Sequence, residues 1–311
     1  MLVYLDSRDL IDIAEHERPV SAEALRQKLE RGGHKLIYSF YSLSAVSQPL
    51  FSSSSRTNVM ELLNRLEKLP HRFFQLPGLR FREIQEALNA FAEGRECAQL
   101  QPFTERLDES LTLINRGLTR FLLKYSLAQS LFDLWRTNPE VLQEPSTTEF
   151  GFCELIGSDR AQPVPSFEEY FVTVYGRVIE ARRFEPRPKD MREFARWLCD
   201  KPTRCPSLRL THEVYYDMVK DKSRPTRPND LADLTHVLSI PHVDLLTLDR
   251  NMRHYAAQAC VRTNSDWRSR ICENAQEILT KLSGGGAERS GSAEFTPFEL
   301  PPEKSPRSEK R

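Results

Sequence analysis

The stretch Leu2-Val3-Tyr4-Leu5-Asp6-Ser7, at the start of the chain, is a short aliphatic run that ends on an aspartate. A second run of this kind, Val243-Asp244-Leu245-Leu246-Thr247-Leu248, is followed by Asp249 and Arg250. Both predict buried parallel strands, because they are short, aliphatic and followed at once by sequence of helical character. Open parallel sheets bind ligands at the carboxyl ends of their strands. Two carboxylates at that edge would suit a hard cation such as Mg²⁺.

A third acidic element lies at residues 227–238, just before the second of these strands. Its apolar residues recur at helical spacing, and a Pro-Asn pair indicates where the helix begins. Asp230 and Asp233 are three residues apart, so they would be neighbours on one helix face at the margin of the apolar stripe. Each alone is better explained as a helix cap or as an acid near a helix N-terminus. Together with Asp6 and Asp249 they indicate a binding site.

The composition argues against several classes of protein. The 311 residues include 44 basic and 44 acidic ones, so no overall cationic field would attract nucleic acid. This counts against a constitutive nucleic-acid binder, although a nuclease needs basic residues along one groove only. The six cysteines include no Cys-x-x-Cys pair, which argues against a zinc site. No secretory leader follows Met1 and no stretch approaches the ~20 apolar residues of a membrane span, which predicts a cytoplasmic protein without a membrane partner.

In the order and spacing of its acids, the chain resembles the PIN-domain family of metal-dependent nucleases. The family pattern is an Asp after the first strand, a Glu after the second, an Asp at the start of a late helix and an Asp after the fourth strand. Its first Asp corresponds to Asp6 and its last to Asp249. Its late-helix Asp corresponds to Asp233 or to Asp230, and the alignment leaves this choice open.

The resemblance covers residues 1–95 and 205–282. Ser7 is the small polar residue beside the first acid, and Thr247 lies in the Thr-x-Asp turn that contains the last one. Each of these motifs is short, so the resemblance depends on their order and spacing.

The glutamate of the family pattern is missing where it is expected. It should lie in the helix after the second predicted strand, Lys35-Leu36-Ile37-Tyr38-Ser39-Phe40, and the chain has Gln48 there. Glutamine offers a neutral oxygen that can still bind a cation, but it supplies less charge to hold one. Glu83 is a nearby substitute, although an ordinary glutamate in the first turn of a helix explains it better. The departure bears on catalysis more than on the fold.

The resemblance implies an α/β fold with a PIN-like central parallel sheet flanked by helices, and the activity of an endoribonuclease. Phosphodiester bonds would be hydrolysed at a carboxylate site that binds Mg²⁺ or Mn²⁺. The implied metal ligands, all of them catalytic except Asp230, are Asp6, Asp230, Asp233 and Asp249. The residues expected to support them are Ser7, Gln48, Glu83 and Thr247. The implied partners are an RNA substrate and an antitoxin-like or other protein, while DNA as substrate and the oligomeric state stay open.

Two alternative functions fit parts of the sequence. A PIN-like fold that binds or scaffolds without catalysis is favoured by Gln48 and by the neutral overall charge. Aspartyl-phosphate chemistry, as in phosphatases of the haloacid-dehalogenase type, would need an acid two residues after Asp6. The chain has Arg8 at that position, which argues against this chemistry.

The chain divides into regions of different pattern. Residues 1–95 and 201–282 predict one discontinuous PIN-like α/β domain, and residues 96–200 predict a helical insertion within it. Residues 283–311 are rich in Gly, Ser and Pro with mixed charge and no periodicity, which predicts a disordered tail.

Apolar periodicity predicts individual elements within these regions. In the insertion it indicates helices at 103–135, 167–184 and 191–198. After Asp249 the pattern predicts a helix, then a fifth short strand at 259–263 and a last helix at 267–282.

Overall fold

A six-stranded sheet organises the part of the chain that the structure describes. The structure is a computed structural model, and it describes residues 1–15, 20–47, 56–75, 78–107, 126–131, 156, 159–225, 227 and 230–284. The strands in these ranges are β1 (Leu2–Tyr4), β2 (Lys35–Tyr38), β3 (His71–Phe74), β4 (Phe103–Thr104), β5 (Leu245–Thr247) and β6 (Ile271–Cys272). They lie in the order β4-β3-β2-β1-β5-β6, and every neighbouring pair is parallel except β3 and β4. The predicted α/β class with a mainly parallel sheet is therefore confirmed.

The described helices cover both faces of this sheet. They are α1 (Ser7–Glu15), α2 (Ala22–Gly32), α3 (Phe40–Ser47), α4 (Arg56–Glu67), α5 (Leu79–Glu93), α6 (Phe167–Tyr170), α7 (Gly176–Ala181), α8 (Met191–Asp200), α9 (Pro206–Lys220), α10 (Asp230–Val237), α11 (Arg250–Arg262) and α12 (Ala275–Gly284). A π-helical segment, Phe171–Tyr175, joins α6 to α7, and 3-10 turns lie at Pro202–Arg204, Ile240–His242 and Asp266–Arg270. None of the helices that the structure describes is both long and apolar enough to cross a membrane.

The strand β1 lies in the middle of the sheet, between β2 and β5. Tyr4 pairs with Ile37 on one side and with Leu246 on the other. The prediction that the first strand neighbours the strand before Asp249 is confirmed. From β1 the chain builds the sheet outward to β2 and β3, and later fills the other side with β5 and β6. Such a reversal of strand order creates a crevice at the carboxyl edge, where open parallel sheets bind their ligands.

Alternate residues of the central strands contribute to two separate cores. Val3 and Leu36 belong to a core that α1, α2, α3, α4 and α12 enclose. Tyr4 and Ile37 belong to a second core, enclosed by α9, α10 and α11. These strands are nearly continuous apolar runs because both of their faces are covered by helices.

A third core joins α5 and α9 to the segment between residues 167 and 200. It contains Ile84 of α5 and Leu208 of α9, which pack with Phe171 and Phe194. The helices predicted at 167–184 and 191–198 are confirmed, and their apolar faces are buried against the rest of the protein.

The strand predicted at 259–263 is wrong. The helix α11 continues through Arg262, and its small apolar residues Ala259 and Cys260 are buried in the second core. A run of small apolar residues can therefore be mistaken for a buried strand when it belongs to a helix that buries only one of its faces.

Two predicted helices contain strands instead. The helix predicted at 267–282 is a 3-10 turn, then β6, and only then α12, because Cys272 pairs with Thr247 at the edge of the sheet. The helix predicted at 103–135 begins with β4, which pairs with β3. Most of the remaining helix, and the predicted tail beyond Gly284, lie outside the described residues.

Candidate functional site

The neighbouring parallel strands β1 and β5 each deliver one aspartate to the carboxyl edge of the sheet. Asp6 and Asp249 both stand two residues beyond the end of their strand, and a helix begins directly after each of them. Asp249 caps α11, where its Oδ1 accepts a hydrogen bond from the Met252 amide at 2.6 Å. The Oδ1 atom of Asp6 accepts one from the Ser7 amide at 2.6 Å. Strand pairing thus brings the two carboxylates to one place.

A third aspartate joins them from α10. Asp233 lies in the first turn of that helix, and its carboxyl lies close enough to that of Asp249 for the two to interact. Burial, and then the negative charges of Asp249 and Asp6, raise the pKa of Asp233 to about 8. Burial also raises the pKa of Asp6, with a smaller contribution from Asp249. A carboxyl that is buried beside other carboxylates and has so raised a pKa favours its protonated form at neutral pH.

Asp230 belongs to a different environment, although it is only three residues away. Its side chain is 1% exposed. Arg224 donates to both of its carboxylate oxygens, at 2.5 and 3.2 Å, and the Arg227 amide donates to one of them at 2.8 Å. These donors occupy the side-chain oxygens of Asp230 at the start of α10. Of the two acids that the sequence left open, the structure brings Asp233, and not Asp230, to Asp6 and Asp249.

Thr247 connects two of the elements that carry the acids. It is fully buried at the end of β5, and its Oγ1 accepts a hydrogen bond from the Asp6 amide at 3.0 Å. The Asp9 carboxyl lies close enough to this hydroxyl for Thr247 to lower the pKa of Asp9. Because the hydroxyl accepts from Asp6, its own proton is available for the Asp9 carboxylate.

Asp9 is the site residue that the sequence analysis missed. It lies in the first turn of α1, where burial raises its pKa, the Thr247 bond lowers it, and the negative charge of Asp6 raises it further. Asp6 and Asp9 have the same spacing of three residues that singled out Asp230 and Asp233. That spacing was the signal in the sequence that could have found it.

Glu83 lies in another part of the molecule. Its side chain is 1% exposed and accepts hydrogen bonds from the Ser207 and Leu208 amides at the start of α9 and from His242 Nε2 at 3.2 Å. It therefore caps α9 and does not join the aspartates. Gln48 lies outside the described residues, and the eight residues of α3 include no acid.

A buried polar chain lies behind the aspartates. The Tyr4 hydroxyl contacts Ser39 Oγ at 2.8 Å and also contacts His236 Nδ1. Burial lowers the pKa of His236 to about 4, although the negative charge of Asp249 acts in the opposite direction. His236 is therefore neutral at physiological pH and supplies no positive charge to the acids beside it.

The aspartates have no close cationic partner among the described residues, although the charge of Arg8 lowers the pKa of Asp6 and of Asp9. In the described part of the chain, no Lys, Arg or His side chain forms an ion pair with Asp6, Asp233 or Asp249. Hard oxygen donors with excess negative charge fit Mg²⁺ or Mn²⁺. However, no three His, Cys, Asp or Glu side chains among the described residues are placed to hold one metal ion.

Comparison with known proteins gives no match. No protein-family model fits the chain, and no curated protein and no solved structure is similar to it.

Proposed function

We propose that the protein is a divalent-metal-dependent phosphodiesterase of the PIN-like type and that its substrate is RNA. The observation that carries the proposal is the close approach of the Asp233 and Asp249 carboxyls, which lie with Asp6 at the reversal of strand order and form no ion pair with any described Lys, Arg or His. Strongly raised carboxyl pKa values in a crevice are typical of functional sites.

The other buried acids of the protein show what a structural carboxylate looks like here. Asp230 is paired with Arg224, and Glu83 accepts hydrogen bonds from backbone amides. Both are stabilised by donors that compensate their charge. The Asp233 carboxyl is instead buried beside other carboxyls, and the raised pKa that results lowers the stability of the folded protein at neutral pH. A purely structural role does not explain why the chain keeps this arrangement.

The proposed metal ligands are Asp6, Asp233 and Asp249, on oxygens that suit Mg²⁺ or Mn²⁺. When bound, such an ion supplies an activated water and stabilises negative charge on the phosphate. The residues around the site position the aspartates that would bind the ion. The Met252 amide orients Asp249, and the Thr247 hydroxyl orients the loop at Asp6.

Asp9 supplies the fourth acid of the proposed site. The PIN pattern has a glutamate after its second strand, which this chain lacks. Asp9 approaches from α1 instead and is held by Thr247 beside Asp6. Asp9 on α1 would thus supply the fourth negative charge that the glutamate supplies in the PIN pattern.

A binding module without catalysis is the second candidate function. It is favoured by the acid-free α3 and by the absence, among the described residues, of three side chains placed to hold a metal. In that case RNA would bind to the protein without being cleaved, and Asp233 and Asp249 would contribute only to the fold.

A cleavage assay separates the two candidates. The protein is incubated with a labelled single-stranded RNA of mixed sequence and Mn²⁺, with EDTA as the metal-free control. We expect cleavage that Asp249→Asn abolishes or lowers by more than roughly 100-fold, beyond the ~10–100-fold typical of changes outside the ligands. Asn can still cap α11, so this variant should keep the fold. The matched control is Asp12→Asn, an exposed acid on α1. Equal rates for both variants, or RNA binding without cleavage, would refute the enzymatic proposal.

A further inference from the structure

An exposed aromatic residue, Tyr41, lies at the same edge of the sheet as the aspartates. The exposed large hydrophobic residues in the described ranges are Met1, Tyr41, Val174 and Val261, and among them only Tyr41 carries a ring. It is 40% exposed, whereas the other described Tyr, Phe and Trp side chains are buried or half-buried. Single exposed apolar residues are common on proteins, so the significance of Tyr41 depends on its surroundings.

Strand pairing places Tyr41 close to the first of the aspartates. In the parallel register of β1 and β2, Asp6 and Ser39 are level, because each stands two residues beyond a paired residue. Tyr41 follows as the second residue of α3. Neighbouring strands lie ~4.8 Å apart, so α3 begins about one strand spacing from Asp6. An edge-to-face contact with Phe40, with ring centroids 6.0 Å apart, holds the Tyr41 ring there.

An arginine from the next helix along the sheet lies beside Tyr41. Arg80 is the second residue of α5, which follows β3 at the same edge. Partial burial raises the pKa of Tyr41 and the positive charge of Arg80 lowers it, so the guanidinium lies near the phenol. Burial also raises the pKa of Tyr175, and the charge of Arg80 again lowers it. Arg80 therefore adds a positive charge next to the exposed ring.

Two further arginines stand beside the acids themselves. Arg8, in the first turn of α1, and Arg250, the first residue of α11, are both exposed. In the described part of the chain, no Asp or Glu forms an ion pair with Arg8, Arg80 or Arg250. In the strand order β3-β2-β1-β5, the edge thus presents a cation, an aromatic ring, and then the acids with two more cations.

This order of groups suits a strand of nucleic acid that lies across the edge. Unpaired bases stack on exposed aromatic rings, and stacking accepts every base because each has a π-face. Arginines beside the ring can contact the phosphates. The chain carries no net charge, so attraction of a polyanion depends on local cations such as these.

We propose that a base of the RNA stacks on the Tyr41 ring and that a phosphate next to this base contacts Arg80, so that the two residues position the strand across the aspartates. The inference rests on the proposed function, which supplies RNA as the ligand. It assigns Tyr41 and Arg80 to substrate binding and gives them no part in the reaction at the metal.

The test of Tyr41 is a binding measurement in EDTA, by fluorescence anisotropy of a labelled single-stranded RNA of mixed sequence. Tyr41→Leu keeps an apolar side chain without a ring and should weaken binding at least about fivefold. Tyr41→Trp should bind at least as tightly as the unmodified protein. The control is Val261→Ala, at an exposed apolar position near the far end of α11, which should leave binding unchanged. Absence of saturable binding, or equal binding by Tyr41→Leu and the unmodified protein, would overturn the proposal.

The contact of Arg80 is tested by the salt dependence of the same binding. Each phosphate contact to a single strand contributes about 0.7 to the slope of log affinity against log salt concentration. Arg80→Gln should reduce the slope by this amount. The matched control is Arg31→Gln, at an exposed position near the end of α2, which precedes β2 and so lies at the opposite edge of the sheet. Equal slopes for the two variants would overturn the phosphate contact.

Cleavage in Mn²⁺ separates this inference from the proposed function. Tyr41→Leu should raise the KM for RNA and leave kcat unchanged, because stacking binds the substrate and the transition state equally. Cleavage with a KM that Tyr41→Leu does not change would overturn the inference and leave the proposed function standing. RNA binding that depends on Tyr41, without cleavage in Mn²⁺, would support the stacking contact and refute the enzymatic proposal.

Discussion

Asp230 and Asp233 show how strongly the surroundings of a residue determine its chemistry. Both stand in the first turn of α10, three residues apart. Arg224 and a backbone amide compensate the charge of Asp230, whereas Asp233 meets Asp249 and Asp6 and has its pKa raised to about 8. Opposite effects on stability are therefore expected when each is replaced by asparagine.

Replacing Asp233 should stabilise the metal-free protein at high pH. An unfolded aspartate has a pKa of about 3.9, so between about pH 4 and 8 the folded protein binds more protons than the unfolded one, and its stability falls as the pH rises. Asp233→Asn removes this contribution. At pH 8 the variant should be more stable than the unmodified protein by at least about 1.4 kcal/mol, the equivalent of one pKa unit, and near pH 4 the advantage should vanish. Urea unfolding in EDTA at both pH values measures this. A stability advantage that is the same at both values would contradict the raised pKa.

Replacing Asp230 should have the reverse effect. Asp230→Asn leaves the Arg224 guanidinium, whose side chain is 17% exposed, without its carboxylate. Removing one partner of a buried ion pair costs about 3–5 kcal/mol. The same urea unfolding at pH 7 gives the value, with Asp12→Asn as the exposed control. A loss no larger than that of the control would show that Asp230 does not stabilise the start of α10.

Single elements differ in how well the sequence predicts them. The strands β1, β2 and β5 follow from aliphatic runs, because central parallel strands are buried on both faces. The strands β4 and β6 have two residues each and depend on pairing with distant partners, which no local pattern reveals. The strand wrongly expected at 259–263 came from small residues that one face of α11 buries.

The residues of the predicted site also divide into those that a local sequence pattern reveals and those that depend on contacts with distant residues. Asp6 and Asp249 could be found because each follows a recognisable strand. The choice between Asp233 and Asp230 could not be made from spacing, since it depends on the position of Arg224 in the folded protein. Asp9 could have been found from its three-residue spacing to Asp6, whereas its proximity to Thr247, 238 positions away in sequence, could not.

The contact between β5 and the loop after β1 gives a prediction at this scale. Thr247→Val keeps the shape of the side chain but leaves the Asp6 amide and the Asp9 carboxylate without their shared partner. We expect a loss of about 1–3 kcal/mol in unfolding free energy. We also expect Mn²⁺ to bind ~10–100-fold more weakly, as for other changes outside the ligands.

A second buried threonine provides the control for this variant. Thr263 donates to the Ala259 carbonyl at the end of α11, at 2.9 Å. Thr263→Val should lower the stability but leave the Mn²⁺ affinity unchanged. If calorimetry gives the same affinity for both variants, Thr247 has no part in positioning the acids.

At the scale of the whole molecule, the order of the strands explains where the acids meet. β1 and β5 are adjacent, yet they come from opposite ends of the folded chain. Their carboxyl ends form the crevice at the reversal of strand order, and α1, α10 and α11 all begin beside it. The positive N-terminal ends of these helices favour negative groups, so the fold gathers carboxylates there and partly offsets their repulsion. The sequence predicted this convergence from the two strand-and-aspartate motifs alone.

Calorimetric titration of the metal-free protein with Mn²⁺ at pH 7 tests the central claim most directly. Run in two buffers of different ionisation enthalpy, it gives both the affinity and the number of protons released. We expect saturable binding with release of about one proton, because the pKa of Asp233 is raised to about 8 and the ion must displace its proton. Asp12→Asn should behave in the same way, whereas Asp249→Asn should lose the binding. Absence of saturable binding, or equal binding by Asp249→Asn and Asp12→Asn, would contradict the claim that these aspartates form a metal site.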